Sequence, residues 1–536
     1  MDPRHADLLT DAVEEAVAAL PRAARAAWIE AAARGHEAAR RAADRSGAGR
    51  AAAAWYTPEA VVEAVLDDAW PGQGSRPAVV DPACGTGHFL VAAGSRMRRG
   101  RPGPSTLHGM DLDPMAVAIA RVRLRHRFGG TAAGWRRSIL CGDALAPDAW
   151  RRTFDLVVGN PPFLGQLTSR SARSARERSM ITERFDGLVR RYADAAAAFL
   201  LLSTELAPAG TAALVLPVPL LATADARSVR AAAAQRLGLR AIRILPPDAF
   251  AASVRTCIVT LGRPAAGRVR IHAPAGWTGA LPAAALGADW GAALAAVQGV
   301  PPSGITRGAG TLAAVLTATA DFRQHYYGLR GLVEDARGAR PSRTRPALVT
   351  VGAIDAARLT WGARPVRIHG RAFPAPVVRC TRLRRHAALG PWLAARAVPK
   401  VLVATQTRAI EAWVDAAATT LPSTPAITVV PRRRADLWRV GAAILAPPIA
   451  AEAWWRHAGA GMSTRAIRIS ASQLRAMPTP GDRRAWNRGA AALRAWQSGR
   501  AGARDRFAQA MCDAYGVRPG AGRAALLAWW TAAVGR

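Results

Sequence analysis

Four short apolar runs decide what this chain can fold into. Ala78–Val80, Leu107–Met110, Ile139–Cys141 and Phe154–Val158 are separated by stretches of helical pattern. Runs this short and mostly apolar read as strands buried on both faces, and strand–helix alternation makes such strands parallel. An α/β fold with a parallel sheet is expected, with ligand-binding residues at the carboxyl ends of the strands. The segments leaving those ends are Asp81-Pro82-Ala83-Cys84-Gly85-Thr86-Gly87-His88-Phe89-Leu90, Asp111-Leu112-Asp113-Pro114, Gly142-Asp143 and Gly159-Asn160-Pro161-Pro162-Phe163.

Each segment has a chemistry. At Gly85 and Gly87 the backbone can pass close to a ligand, and the helix that follows offers free amide groups. Asp111, at the end of the second strand, can accept hydrogen bonds from both hydroxyls of a ribose. Asp143, at the end of the third, can accept from the exocyclic amine of a purine. A nucleoside with a zwitterionic tail fits all three, and S-adenosyl-L-methionine is such a molecule. Asn160-Pro161-Pro162-Phe163 is a stiff, extended exit from the fourth strand, because each proline fixes its own φ and restrains the residue before it. It holds an amide, a carbonyl and an aromatic ring together. An adenine N6 amine is a poor nucleophile, since its lone pair is delocalised into the ring. Hydrogen bonds from it to Asn160 Oδ1 and the Pro161 carbonyl would favour a tetrahedral nitrogen, with Phe163 stacked on the base.

Together with Tyr56-Thr57-Pro58, these segments resemble, in identity and order, the gamma-class DNA adenine-N6 methyltransferases. The similarity is greatest to the methylase part of type I and type IIG restriction–modification enzymes. The resemblance implies a Rossmann-like methyltransferase sheet and S-adenosyl-L-methionine as cofactor. It implies Asn160, Pro161, Pro162 and Phe163 as the catalytic segment. It places Thr57, Asp81, Ala83, Gly85, Gly87, Phe89, Asp111, Leu112 and Asp143 around the cofactor. A target adenine flipped out of double-stranded DNA would stack between Phe163 and Phe250. Phe163 stands where tyrosine is common in the family; the ring is kept and a hydroxyl is lost.

The rest of the chain favours a polyanionic partner. Its 536 residues carry 73 basic and 37 acidic side chains, a formal charge of +36. Such an imbalance points to nucleic acid. Arg170, Arg173, Arg176 and Arg178 follow the catalytic segment and are expected to touch phosphates. Gln406 and Arg408 follow a strand and are of a kind that reads base edges. Lys400 is the only lysine, which excludes a Gly-Lys-Ser/Thr phosphate loop. The five cysteines lack metal or disulfide spacing, no metal is expected, and a reducing cytoplasm suits them. No run reads as a membrane span.

Composition shifts suggest a helical extension over 1–50, the methyltransferase domain over 51–265, a connecting region over 266–344, a mixed α+β target-recognition region over 345–482 and a helical tail over 483–536. Thr57 reads as the N-cap of a helix opened by Pro58. The function expected is site-specific methylation of adenine N6 in DNA within a restriction–modification or phage-defence system, with restriction or defence proteins as further partners. The alternatives are a modification subunit needing a separate specificity protein, an RNA or protein-glutamine methyltransferase, and an inactive DNA-binding scaffold.

Overall fold

The computed structural model describes residues 3–46, 57–163, 175–189, 195–250, 255–381, 389–459 and 466–535, apart from 73, 98–99, 275, 277, 321–322 and 337. Two compact units divide the chain, Met1–Ala293 and Leu294–Arg536.

The first unit is built on nine strands: β1 (Val79–Asp81), β2 (Leu107–Asp111), β3 (Ile139–Cys141), β4 (Leu156–Gly159), β5 (Thr211–Pro217), β6 (Leu239–Ile244), β7 (Thr256–Leu261), β8 (Arg268–His272) and β9 (Thr278–Pro282). Their spatial order is β3-β2-β1-β4-β5-β7-β6-β8-β9. The first five pair in parallel, and β7 enters antiparallel between β5 and β6. Every residue of β1, β4 and β7 is buried, including Asp81, Thr256 and Thr260 among otherwise apolar residues. The sheet extends past the boundary expected at 265. β8 pairs with β6 and β9 pairs with β8. Arg268-Val269-Arg270-Ile271-His272 alternates between exposed and buried, as a strand covered on one face does, and so lacks the apolar run that marks the central strands.

Nine helices of this unit are α1 (Pro3–Ala18), α2 (Arg22–Ser46), α3 (Glu59–Ala69), α4 (His88–Arg96), α5 (Pro114–Phe128), α6 (Ala132–Ser138), α7 (Ala175–Arg184), α8 (Ala195–Leu206) and α9 (Arg227–Arg236). α5 is buried continuously from Ala116 to Leu124, including Arg121 and Arg123. The cause is a second layer: α1 and α2 lie over it, tied by charge. Arg121 Nη1 reaches Asp7 at 2.7 Å, Arg123 makes two bonds of 2.7 Å to Glu30, and Arg125 reaches Glu14 at 2.7 Å.

The second unit is mixed α+β. One four-stranded sheet runs Leu316–Ala320, Ile427–Pro431, Lys400–Val403, Ala412–Asp415 in spatial order, and a second contains Ala347–Val349 and Thr420–Pro422. Arg483–Gln497, Ala503–Ala514 and Ala521–Val534 are helices. No helix among the described residues is long and apolar enough to cross a membrane.

Candidate active site

The strand order reverses at β1, which lies between β2 and β4. In an open parallel sheet such a switch point leaves a crevice beyond the strand ends. Asp81 ends β1, and Gly159-Asn160 ends β4.

Asp81 is buried, 1% exposed, and accepts the Ala83 N–H at 3.0 Å. Burial pushes its carboxyl up to about 8, Asp111 adds to the effect, and the Ala83 N–H opposes it. Gly85 (φ 50°) and Gly87 (φ 85°) then take the left-handed conformations that let the chain double back, and Gly87 caps α4. Asp111 accepts N–H groups from Gly85 at 2.8 Å and Asp113 at 2.9 Å, one on each carboxylate oxygen. Burial raises the pKa of its carboxyl, against those two donors. Asp143 accepts the Leu145 N–H at 2.9 Å.

At the other lip, Gly159 is required by space: a Cβ there would meet Asp81 Oδ1 at 2.7 Å. Asn160 Nδ2 donates to Thr57 Oγ1 at 3.0 Å. Its Oδ1 is buried and has no hydrogen-bond partner among the described residues. Thr57 therefore does not cap a helix. α3 begins at Glu59, its N-cap is Pro58, and no side-chain cap bond forms. The Thr57 hydroxyl is turned instead onto the asparagine amide.

One cavity joins these groups. Thr57, Asp81, Ala83, Gly85, Phe89, Asp111, Leu112, Asp143, Asn160 and Pro162 all line it. Phe199 of α8 lines it too, although nothing in that uniformly apolar helix distinguishes the residue in sequence. Phe163 and Phe250 share the hydrophobic cluster beneath, Phe250 buried and Phe163 half-buried against it. Arg170 and Arg173 lie outside the described residues. Arg176 and Arg178 fall on the backbone of α7. Gln406 and Arg408 are exposed in the second unit, Gln406 on a two-residue strand paired with Ile467–Arg468.

Sequence reasoning missed a wall contributed by α2. His36, Glu37 and Arg40 line the cavity. His36 Nε2 lies 2.9 Å from Asp113 Oδ2, and Arg40 bonds the same oxygen. Burial works against ionisation of Asp113, yet His36 and Arg40 hold its carboxyl well below the usual range. Glu37 takes the Thr86 hydroxyl and lies 3.1 Å from His88 Nδ1. Burial opposes ionisation of Glu37 as well, and these contacts lower its carboxyl all the same. The one available signal was the acidic stripe Asp7, Asp11, Glu14, spaced for one helix face and facing the arginine-rich α5 and α6.

The Asp81 geometry has a measurable consequence. Its folded value is about 8, against about 3.9 in an unfolded chain. Between those limits the folded state keeps a proton that the unfolded state has lost, so stability falls as pH rises from about 4 to about 8. Asp81→Asn should flatten that slope when the urea midpoint is followed against pH. A slope equal to the parent's would mean that this carboxyl is not the group responsible.

Residues 41–270 match the family model described as N-6 DNA Methylase. Over 118 residues the chain is 33% identical to the "Type I restriction enzyme MjaIX methylase subunit" of Methanocaldococcus jannaschii, covering 22% of this chain and 20% of that one. Over 120 residues it is 32% identical to the "Type II methyltransferase M.XamI" of Xanthomonas campestris pv. amaranthicola, covering 21% and 20%. Each match takes in about a fifth of the relative's own length. Among solved structures, the type IIL restriction–modification enzyme MmeI, determined in complex with DNA, superposes with a TM-score of 0.50 at 12% identity, over 90% of this chain and 78% of that one. At that identity the likeness is one of fold. The stretch 41–270, which holds the whole of the cavity's floor from Thr57 to Asn160, thus resembles the N-6 DNA methylases of type I and type II restriction–modification systems.

Proposed function

We propose that this chain transfers a methyl group from S-adenosyl-L-methionine to the N6 amine of an adenine flipped out of double-stranded DNA, at a specific sequence, in a restriction–modification or phage-defence system. The observation that carries the proposal is Asn160 Oδ1, a buried acceptor without a partner at the rim of an aspartate-lined cavity. A buried acceptor left unmatched costs about 1–3 kcal/mol, so it is expected where a ligand completes it.

The cavity's donor set fits the cofactor. Asp81 is buried with no cationic partner among the described residues, and an ammonium group would let it ionise. Each oxygen of Asp111 retains a lone pair after accepting its backbone N–H, enough for two ribose hydroxyls. Asp143 keeps Oδ2 for an exocyclic amine, and the apolar Leu112 and Phe89 offer surfaces for a flat ring. When bound, the cofactor supplies an electrophilic methyl group.

The chain's own work is positioning. Asn160 Oδ1 and the Pro161 carbonyl accept the two amine N–H groups, which draws the nitrogen toward tetrahedral geometry and concentrates its lone pair. Phe163 stacks on the base, with Phe250 as a second aromatic wall; stacking offsets an unstacking cost of a few kcal/mol. Thr57 holds the amide so that Oδ1 faces the cavity. Thr57→Val should lower kcat about tenfold, the worth of one hydrogen bond. An unchanged kcat would show that the amide needs no such hold.

The direct test is long-read sequencing of DNA from a methylation-free host expressing the chain. N6-methyladenine in one sequence context is the expected result. Its absence, with no tritiated methyl incorporated into duplex DNA by the purified chain, would overturn the proposal.

A further inference from the structure

The second unit contains a ribbon suited to a nucleic-acid groove. Val366–Ile368 and Arg371–Phe373 pair antiparallel, with Val366 opposite Phe373, Arg367 opposite Ala372 and Ile368 opposite Arg371. His369 (φ 50°) and Gly370 (φ 81°) are both left-handed, which makes the connection a tight two-residue turn. Strand alternation then gives the ribbon two unlike faces. Ile368 is 1% exposed in a cluster with Leu329, Leu348 and Trp392, and Val366 and Phe373 pack against it. The opposite face bears Arg367 and Ala372, both exposed; Arg371, paired with Ile368, is exposed at the tip on the other side, and Arg364 is exposed just before the first strand.

The tip is held from below. The His369 N–H donates to Tyr326 Oη at 2.9 Å, and the two rings lie 4.2 Å apart. Tyr327, 60% exposed, has its ring 6.3 Å from that of His369. Arg364, Arg367 and Arg371 have no hydrogen bond or ion pair among the described residues. No acidic residue occurs anywhere between Asp355 and Glu411. A tightly turned ribbon with exposed, unpaired arginines on its outer face, at its tip and at its base, in an acid-free stretch, matches a polyanion that can admit a two-stranded ribbon, and the major groove of B-DNA does so.

We infer that the hairpin Val366–Phe373 is the element that enters the major groove of the DNA, with Arg364 and Arg367 on phosphates and Arg371 and Tyr327 at the tip on base edges. This inference rests on the DNA methylation proposed above and names the surface that chooses the site.

The test uses the full chain and a duplex carrying its methylation sequence. Each lost phosphate contact lowers the slope of log K against log salt by about 0.9. Arg364→Ala/Arg367→Ala should therefore reduce the slope by about 2, and the double lysine variant should restore it. Arg371→Ala should relax the methylated motif at one base pair. Cofactor binding, followed by calorimetry, should stay at the parent value in all of them. An unchanged slope together with an unchanged motif would overturn the hairpin's role while leaving DNA methylation standing. A parent chain that binds cofactor yet neither binds nor methylates any duplex would overturn both. Preference of the hairpin for single-stranded RNA over the duplex would also overturn it.

Discussion

Asn160→Ala should leave the protein folded and able to bind S-adenosyl-L-methionine, and unable to methylate. Removing one preorganised hydrogen-bonding group from a reacting centre lowers kcat by about 10²–10³-fold. The effect here should be at the upper end or beyond, because the amide both grips the amine and redistributes its electrons. Cofactor affinity should move less than twofold, since among the described residues the amide's one side-chain bond is to Thr57, and the glycine turn is untouched. Asn160→Asp is the sharper companion. It keeps an acceptor and places a carboxylate in a cavity already lined by Asp81, Asp111 and Asp143. Tritiated-methyl incorporation and calorimetry on the same preparations separate the two effects. Activity within tenfold of the parent in the alanine variant would remove Asn160 from the mechanism.

Lys400→Met should produce the largest loss of stability. Lys400 and Asp415 are both fully buried, with Nζ 2.7 Å from Asp415 Oδ2 and 2.7 Å from the Thr420 carbonyl. Burial lowers the lysine's pKa, and Asp415 offsets this in part. The aspartate also accepts from the Thr420 hydroxyl at 2.6 Å and its N–H at 3.0 Å. Removing one member of such a pair leaves the other charge stranded, at a cost of about 3–5 kcal/mol. Lys400→Met/Asp415→Asn keeps an acceptor for the Thr420 N–H and removes the charge, so it should recover roughly half of the loss. Chemical denaturation followed by tryptophan fluorescence would measure both. A loss under about 1 kcal/mol in the single variant would contradict the buried-pair account.

The centre of the fold and most of the cavity were legible because their signals are local. An apolar run, a glycine that must turn and an aspartate at a strand end each state their geometry within a few residues. Asp81, Gly85, Asp111, Asp143 and Asn160 accordingly converge on one cavity. What was not legible depends on partners distant in sequence. Thr57 fits a helix cap as well as it fits a bond to Asn160, and only the fold, which brings β4 beside it, decides. His36, Glu37 and Arg40 sit in an alanine- and arginine-rich helix whose periodicity says that it packs, and not on what. β8 alternates between buried and exposed, and β9 is half-buried to exposed throughout, so both lie outside the apolar pattern that defines the central sheet. The 366–373 hairpin declares its turn through His369-Gly370, and its unmatched arginines emerge only against the pairing of the others.

The close approach at Gly159 joins two functions that a diagram would draw apart. Thr57 touches Asn160, Asn160 follows Gly159, and Gly159 leaves no room between its backbone and the Asp81 carboxylate. The seat proposed for the methyl donor and the grip proposed for the amine are therefore parts of one rigid line of atoms. A displacement of Asp81 would press on the backbone that carries the amide. Such an arrangement makes the two ligands thermodynamic partners: if donor binding settles the line, the base must bind more tightly after it, and the donor by the same factor after the base. Substitution of Gly159 would then act on both affinities together, although its own position carries no side chain to touch either ligand.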